Sequence, residues 1–468
     1  MKRRICIFLG LLLGLGGCSL APQFQQPEPP LPAVWPQGEA YPQEWAEATE
    51  LPAATELNWE DFFTEPRLQE LIGKALANNR DLRLAVLDVQ RARALYGVQR
   101  AEQFPALDAV GAANRQRIPA DLSSSGRAMT AKEYSVNFGI VSWEVDFFGR
   151  IRNLKDQALQ EYLATDEARR STQIALVAEI ARTYLTLAAD QEALNLALST
   201  LKGQQASYDL INSQLQAGLG TRLDLRRAQT QVDIAREDVA LYTRATARDI
   251  NALSLLVGTQ VDKGLLPEGL DNIAPFQDVS PDLPSVALLS RPDIIAAEHR
   301  LRAAYAYIGS ARAAFFPRII LTTTGGTASR ELSGLFDGGQ GTWNFAPQIS
   351  LPIFDTRVRA AYRVSQVERE IALARYERTI QTAFKDVADA LAVRGTIDQQ
   401  LDAHLSLVEA AAETYALSSG RYDRGVDNYL SVLDAQRSLY SAQQGLVQLQ
   451  LSKLVNRVDL YAELGGGG

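Results

Sequence analysis

Two hydrophobic rhythms run through this chain, and each occurs twice. The first alternates every second residue. Tyr134, Val136, Phe138 and Ile140 are apolar, with Ser135, Asn137 and Gly139 between them. After a phase slip, Trp143, Val145 and Phe147 alternate with Ser142, Glu144 and Asp146. Further along, Trp343, Phe345, Pro347, Ile349, Leu351 and Ile353 alternate with Asn344, Ala346, Gln348 and Ser350. With Phe104 to Arg117 and Phe316 to Thr327, these runs make two strand pairs. Each pair flanks a polar loop, Ile118 to Lys132 and Arg330 to Gly341. One apolar and one polar face over about 10 to 14 residues, with aromatics near the ends, is the pattern of a membrane β-barrel strand. Phe147, Phe148 and Phe354 fall where an interfacial girdle would sit. Pro347 and Pro352 have no ladder donor and weaken the strand pattern locally.

The second rhythm is helical. From Gly149 the chain has no proline until Pro267, and it breaks once, at Ala217-Gly218-Leu219-Gly220. Gly149 to Ala217 is 69 residues, which as one helix is roughly 100 Å long. Beyond the break, Leu225, Ala228, Val232, Ala235, Val239 and Tyr242 advance by threes and fours, the beat of a coiled-coil seam. Val432, Ala435, Leu439, Ala442, Leu446 and Leu449 do the same. Adding 207 carries one copy onto the other: Arg150-Ile151-Arg152 onto Arg357-Val358-Arg359, Tyr208 onto Tyr415, Gly218 onto Gly425, Leu223 onto Leu430, Gly258 onto Gly465. The pattern predicts a duplicated unit of long helix, glycine turn and shorter antiparallel return helix.

Four strands cannot close a barrel, and lipid does not tolerate open strand edges. The chain must therefore oligomerise: two copies supply eight strands, three supply twelve. The tip turns, Gly218-Leu219-Gly220 and Arg424-Gly425-Val426, are the natural place for a gate.

Charge narrows the class. The chain carries a net charge of −8 and no basic block, which argues against nucleic acid. Its two histidines, His299 and His404, have no neighbouring carboxylates or thiols at metal-ligand spacing, so no metal or cofactor is expected. No nucleophile–base arrangement points to an enzyme. The N-terminus opens with Lys2-Arg3-Arg4, then an apolar run from Ile5 to Gly17, and reaches Leu15-Gly16-Gly17-Cys18. That run is too short to span a bilayer. Small residues before cysteine resemble a bacterial lipoprotein signal, which implies a lipid on Cys18 and, with Ser19 following, sorting to the outer membrane. Eight of the 19 prolines lie in residues 19–58, favouring an extended segment across a folded surface, docked by Trp35, Trp45 and Trp59.

Several motifs together resemble the TolC-like outer-membrane efflux proteins, in the lipoprotein subgroup serving resistance-nodulation-division (RND) pumps. They are Leu283-Pro284-Ser285, Leu289, Arg291-Pro292-Asp293-Ile294 and Ala297-Glu298; Trp143-Glu144-Val145-Asp146-Phe147-Phe148-Gly149; Gly425-Val426-Asp427 with Leu433-Asp434-Ala435-Gln436; and Leu460-Tyr461-Ala462-Glu463-Leu464-Gly465. The resemblance implies a mainly α fold with a transmembrane β-barrel. A homotrimer would form a 12-stranded outer-membrane barrel above a long periplasmic α-helical barrel. It implies the exit duct of a tripartite efflux pump, with a periplasmic adaptor and an inner-membrane RND transporter as partners. Gate residues would be Leu430 and Asp434, one turn apart on one helical face. Asp224 and Tyr422 would form a hydrogen-bonded tip lock, and grooves near Gly218, Thr221, Gly425 and Asn428 would receive the adaptor. The expected organisation is a signal peptide (1–17), an extended segment bearing lipidated Cys18 (18–60), a first repeat (61–258), an equatorial linker (259–287), a second repeat (288–464) and a glycine tail (465–468). Within the repeats, upper helices are expected over Arg67 to Gln103 and Arg291 to Ala314. The exit duct of a type I protein-secretion system, or a coiled-coil scaffold lipoprotein without a pore, are the alternatives.

Overall fold

The structure, a computed structural model, describes residues 19–32, 34–41, 52–280 and 285–466. The expected leader, Cys18, Trp45, Leu283, Pro284 and the last two glycines lie outside the described residues. The principal helices are α1 (Pro66–Asn78), α2 (Arg80–Ala101), α3 (Arg150–Gln216), α4 (Arg222–Val257), α5 (Pro292–Ala313), α6 (Thr356–Asp423) and α7 (Tyr429–Glu463). The strands are β1 (Asp108–Ile118), β2 (Met129–Glu144), β3 (Arg318–Ser329) and β4 (Gly341–Ser350). Among the described residues no helix is long and apolar enough to cross a membrane. The chain divides into two compact units, Met1–Glu28 with Asp88–Asp166 and Ala296–Tyr376, and Pro29–Leu87 with Glu167–Ile295 and Glu377–Gly468.

In the first unit the strands form one antiparallel sheet in the order β1-β2-β3-β4. The phase slip seen in the sequence is a register shift between Ile140 and Trp143, one extra residue on β2 against β3. The bulge returns Trp143 to the face of Ile140. Cross-strand pairing puts Phe138, Ile140, Trp143, Leu321, Phe345 and Ile349 on one face and Asn137, Glu144, Thr324, Gln348 and Ser350 on the other. The apolar face is bare: Trp343 is 83% and Ile349 69% exposed.

The strands begin and end somewhat differently from the alternation. Phe104 and Phe316 belong to the turns that close α2 and α5, where their N–H groups donate to Ala101 O and Ala313 O. β4 stops at Ser350, because Pro352 cannot donate to a ladder. Pro347 is accommodated within β4. The Ala328 N–H bond to Gln340 O sets the alternation of the β3–β4 ladder, which leaves the Leu321–Pro347 pair in a non-hydrogen-bonded position. The proline nitrogen therefore faces the outer edge of β4. The expected girdle divides: Phe148 stacks on Phe316, centroids 4.8 Å apart, whereas Phe354 is exposed.

Below the sheet, Asp146 caps α3 by accepting from Arg152 N–H (2.8 Å), and Asp355 caps α6 by accepting from Arg357 N–H (2.9 Å). Glu144 accepts from Arg150 Nε (2.7 Å) and Arg318 Nη2 (2.7 Å), so one β2 carboxylate ties the start of α3 to the start of β3. The described N-terminal residues strap this unit. Ser19 Oγ donates to Asn153 (2.8 Å), Arg312 donates to Leu20 O, and Phe24 packs edge-on against Tyr305 under the Arg302 guanidinium.

The second unit holds the remainder of the long helices. α3 and α6 have 67 and 68 residues, and α4 and α7 have 36 and 35, so the duplication read at an offset of 207 persists in the backbone. The seam predicted on α4 is buried at Ala228, Val232 and Ala235, and that on α7 at Val432, Ala435 and Ala442. The single upper helix expected over Arg67 to Gln103 is two helices. Asn79 breaks it: its backbone is extended, and its Oδ1 caps α2 at Leu82 N (2.8 Å). Its amide also donates to Leu256 O, and the left-handed Gly258 lies against Asn78, so the break docks the end of α4.

The Arg291-Pro292-Asp293 motif has a structural task. Arg291 holds Asp293 at 2.9 Å and reaches both the carbonyl (2.5 Å) and the carboxylate (2.7 Å) of Glu463, tying the start of α5 to the end of α7. A buried aromatic cluster of Phe62, Phe63, Phe276 and Tyr461 lies alongside, with Phe62 and Tyr461 stacked at 3.9 Å. Trp35 stacks on Phe384 at 4.8 Å, and Trp59 opens the helical turn leading into Phe62.

Candidate gate and docking surface at the helical tip

The tip is two hairpin turns with the same construction. In the first, Gly218 N–H donates to Leu215 O (3.0 Å) and Leu219 N–H to Gln214 O (2.8 Å). In the second, Gly425 N–H donates to Tyr422 O (2.8 Å) and Val426 N–H to Arg421 O (3.0 Å). These are Schellman motifs, and both glycines are left-handed, at φ 76° and 71°, as the motif requires. The next helix of each hairpin is capped by a side chain. Thr221 Oγ1 accepts from Asp224 N–H (3.1 Å), and Asn428 Oδ1 accepts from Leu430 N–H (3.1 Å) and Ser431 N–H (3.3 Å). Gly218, Thr221, Gly425 and Asn428 thus fix the shape of the turns. The apolar side chains there are Leu219 and Val426, 83% and 61% exposed. In an ordinary Schellman motif such residues pack back on the helix. The sequence carried that signal, since the two are equivalent across the repeat.

Behind the turns, Ile211, Ala228, Tyr429, Val432 and Leu433 form a core, with Tyr208, Leu225, Tyr415 and Tyr422 packed against it. Burial pushes the Tyr429 phenol up to about 12. Tyr422 stands over Tyr429 at 5.5 Å. Its hydroxyl donates to Gln214 Oε1 at 3.2 Å in this structure. The Asp224 carboxylate is engaged by its own helix cap: Thr221 Oγ1 donates to it at 2.5 Å while accepting from the Asp224 N–H. Asp224 still acts at a distance, since burial and then its charge raise the Tyr422 phenol. Gln214, which the sequence reading did not single out, therefore bonds the end of the first hairpin's long helix to that of the second.

Leu430 and Asp434 lie one turn apart on α7, about 100° around the helix from the buried Tyr429 and Leu433, and both are exposed. Arg437 approaches the Asp434 carboxylate only to 4.0 Å and donates instead to Gln231 (3.3 Å). Further from the tip, Tyr440 donates to Asp238 (3.0 Å) and Gln444 to Tyr242 (3.2 Å), a polar ladder joining α4 to α7. His404 meets Ala442 O at 2.8 Å and His299 meets Gln160 at 2.7 Å. Among the described residues no group of three or more metal-ligating side chains gathers.

A family model described as outer membrane efflux protein matches residues 71–259 and again residues 283–466, once in each repeat. The chain belongs to the outer membrane efflux protein family. It is similar to the solvent efflux pump outer membrane protein SrpC of Pseudomonas putida, 48% identical over 460 residues, covering 97% of each chain. It is also similar to the antibiotic efflux pump outer membrane protein ArpC of the same species, 47% identical over 458 residues, covering 97% of this chain and 93% of that one. Among solved structures, the open state of the Neisseria gonorrhoeae MtrE outer membrane channel superposes with a TM-score of 0.83 at 36% identity, covering 96% of this chain and 98% of that one. This outer membrane efflux protein is TolC-like in fold, its place is the outer membrane, and its family consists of transport channels.

Proposed function

We propose that three copies of this chain assemble into the exit duct of a tripartite efflux pump. The observation that carries this reading is the sheet: four strands, an uncovered apolar face, and β1 and β4 each paired on one side only among the described residues. An edge of that kind is unsatisfied in lipid until another copy closes it. Twelve strands leave room for a lumen lined by the polar face. The duct is passive, coupled through a periplasmic adaptor to an inner-membrane RND transporter. Relatives named for antibiotic and solvent efflux support toxic small molecules as cargo. A lipid on Cys18 anchors the assembly.

Leu430 and Asp434 form stacked apolar and carboxylate rings at the narrow end. Crowded carboxylates repel one another and attract cations, so the ring both narrows the pore and favours cations. The adaptor docks over Gly218, Thr221, Gly425 and Asn428, with Leu219 and Val426 as its apolar contacts. Purified protein tests the assembly directly: a trimer that conducts in planar bilayers supports it, and a non-conducting monomer ends it. Leu219→Asp with Val426→Asp should abolish adaptor binding and drug resistance in cells while leaving conductance intact; retained resistance would remove these residues from the docking surface.

A further inference from the structure

The apolar face of the sheet carries three cations near one end. Pairing of β1 with β2 sets Arg115 opposite Lys132, Arg117 opposite Thr130 and Ala113 opposite Tyr134. Paired residues share a face, and alternate residues return to it. Arg115, Arg117 and Lys132 therefore lie on the face of Tyr134, Val136 and Phe138, which is also the face of Trp343 and Ile349. All three are exposed, and no ion pair or side-chain hydrogen bond engages them among the described residues. The acidic residues of the strands, Asp108, Glu133 and Glu144, all fall on the opposite face.

Their height matters as much as their face. From Ile319, opposite Ile349, to Ser329, opposite Tyr134, β3 advances ten residues, about 33 Å along the strand and roughly 23 Å along the membrane normal at a tilt of about 45°. That matches an apolar band of about 25 Å. Tyr134 then marks its outer boundary. Lys132 and Arg115 lie one pleat beyond, and Arg117 another, beside the β1–β2 turn and away from the helices that enter at Asp108 and leave at Glu144. Three like charges at a lipid interface, with no carboxylate on their face, call for anions from outside the chain. The outer leaflet of a Gram-negative outer membrane supplies them, because its glycolipids carry phosphates on their sugars. Guanidinium forks match phosphate oxygens in pairs.

We propose that Arg115, Arg117 and Lys132 bind the sugar phosphates of an outer-leaflet glycolipid whose acyl chains lie along the apolar face below Tyr134. The site rests on the sheet being embedded in the outer membrane with its β1–β2 turn outward. It is tested on the full chain in detergent micelles, with lipid A, dephosphorylated lipid A and inorganic phosphate as probes, read by native mass spectrometry. Lipid A should bind the triple variant Arg115→Gln, Arg117→Gln, Lys132→Gln roughly 100-fold more weakly than the unmodified protein, at about fivefold per cation. Dephosphorylated lipid A should bind both proteins equally weakly. Arg115→Lys with Arg117→Lys should restore most of the affinity, and Glu133→Gln, on the other face, should change nothing. Equal lipid A binding by the triple variant overturns the site, as does equal binding of the two lipids by the unmodified protein. Displacement of lipid A by inorganic phosphate assigns the cations to a free anion and also overturns it. Conductance of the same preparations separates the two levels: failure to conduct counts against the channel, whereas conduction with unselective lipid binding counts against this site alone.

Discussion

Removing one oxygen at the tip should loosen the gate. Tyr422 Oη donates to Gln214 Oε1 at 3.2 Å and thereby joins the end of α6 to the end of α3. Tyr422→Phe deletes this bond and keeps the ring over Tyr429. A partly buried neutral hydrogen bond contributes about 1 kcal/mol, and this one, longer than the usual O–H···O, contributes about 0.7–1 kcal/mol. If three chains release together, the closed tip loses about 2–3 kcal/mol, a rise of roughly 30- to 150-fold in the open-to-closed ratio. Single-channel recording in planar bilayers reads this as longer and more frequent openings. Asp224→Asn is the contrasting variant. Its backbone N–H still bonds Thr221, and the Tyr422–Gln214 bond is untouched, so its effect should be several-fold smaller. An unchanged open probability in Tyr422→Phe, or an equal rise in Asp224→Asn, would refute the assignment of the lock to Gln214.

Other consequences follow from single groups. Burial, and then the facing Asp190 carboxylate, push Asp249 up to about 6 from an ordinary 3.8. An acid raised on folding stabilises fully below its unfolded value near 4 and loses that contribution as pH rises through about 6. The full shift corresponds to about 3 kcal/mol, reduced by solvent screening of this partly exposed group to about 1 kcal/mol. Asp249→Asn should bring the melting temperatures at pH 5 and pH 7.5 closer together, as followed by circular dichroism. Gly425 and Gly258 have similar left-handed φ, 71° and 77°, but a Cβ meets open space at the first and Asn78 O at 2.5 Å at the second. Gly425→Ala should cost about 1–2 kcal/mol and Gly258→Ala distinctly more; equal melting temperatures would refute the packing argument. Phe62→Ala removes a fully buried ring stacked on Tyr461 and should cost about 3–5 kcal/mol in thermal or denaturant melts. Asp434→Asn should shift the reversal potential in a salt gradient toward weaker cation selectivity, and an unchanged potential would remove the carboxylate from the pore.

Much of this architecture is written in local periodicity. Alternation in β2 and β4 assigns the apolar face without reference to pairing, and the slip after Ile140 marks a bulge, which returns Trp143 to that face. The offset of 207 located both tip turns, since each demands a left-handed glycine. Helix breaks that depend on distant partners were not legible. Asn79 interrupts a continuous helical pattern because the end of α4 docks against it, and that contact spans 177 residues.

The tip lock marks the same boundary. The sequence by itself determined where the two turns fall and which helix positions form the seam, because turn glycines and heptad positions are short-range properties of the backbone. Which of them bond to each other was decided only in three dimensions. Thr221 is three residues from Asp224 and claims it for the helix cap, which leaves Tyr422 to Gln214, 208 residues away. Likewise, Arg115, Arg117 and Lys132 are ordinary in composition, and they become a patch only when the register sets all three on the apolar face and every strand carboxylate on the other.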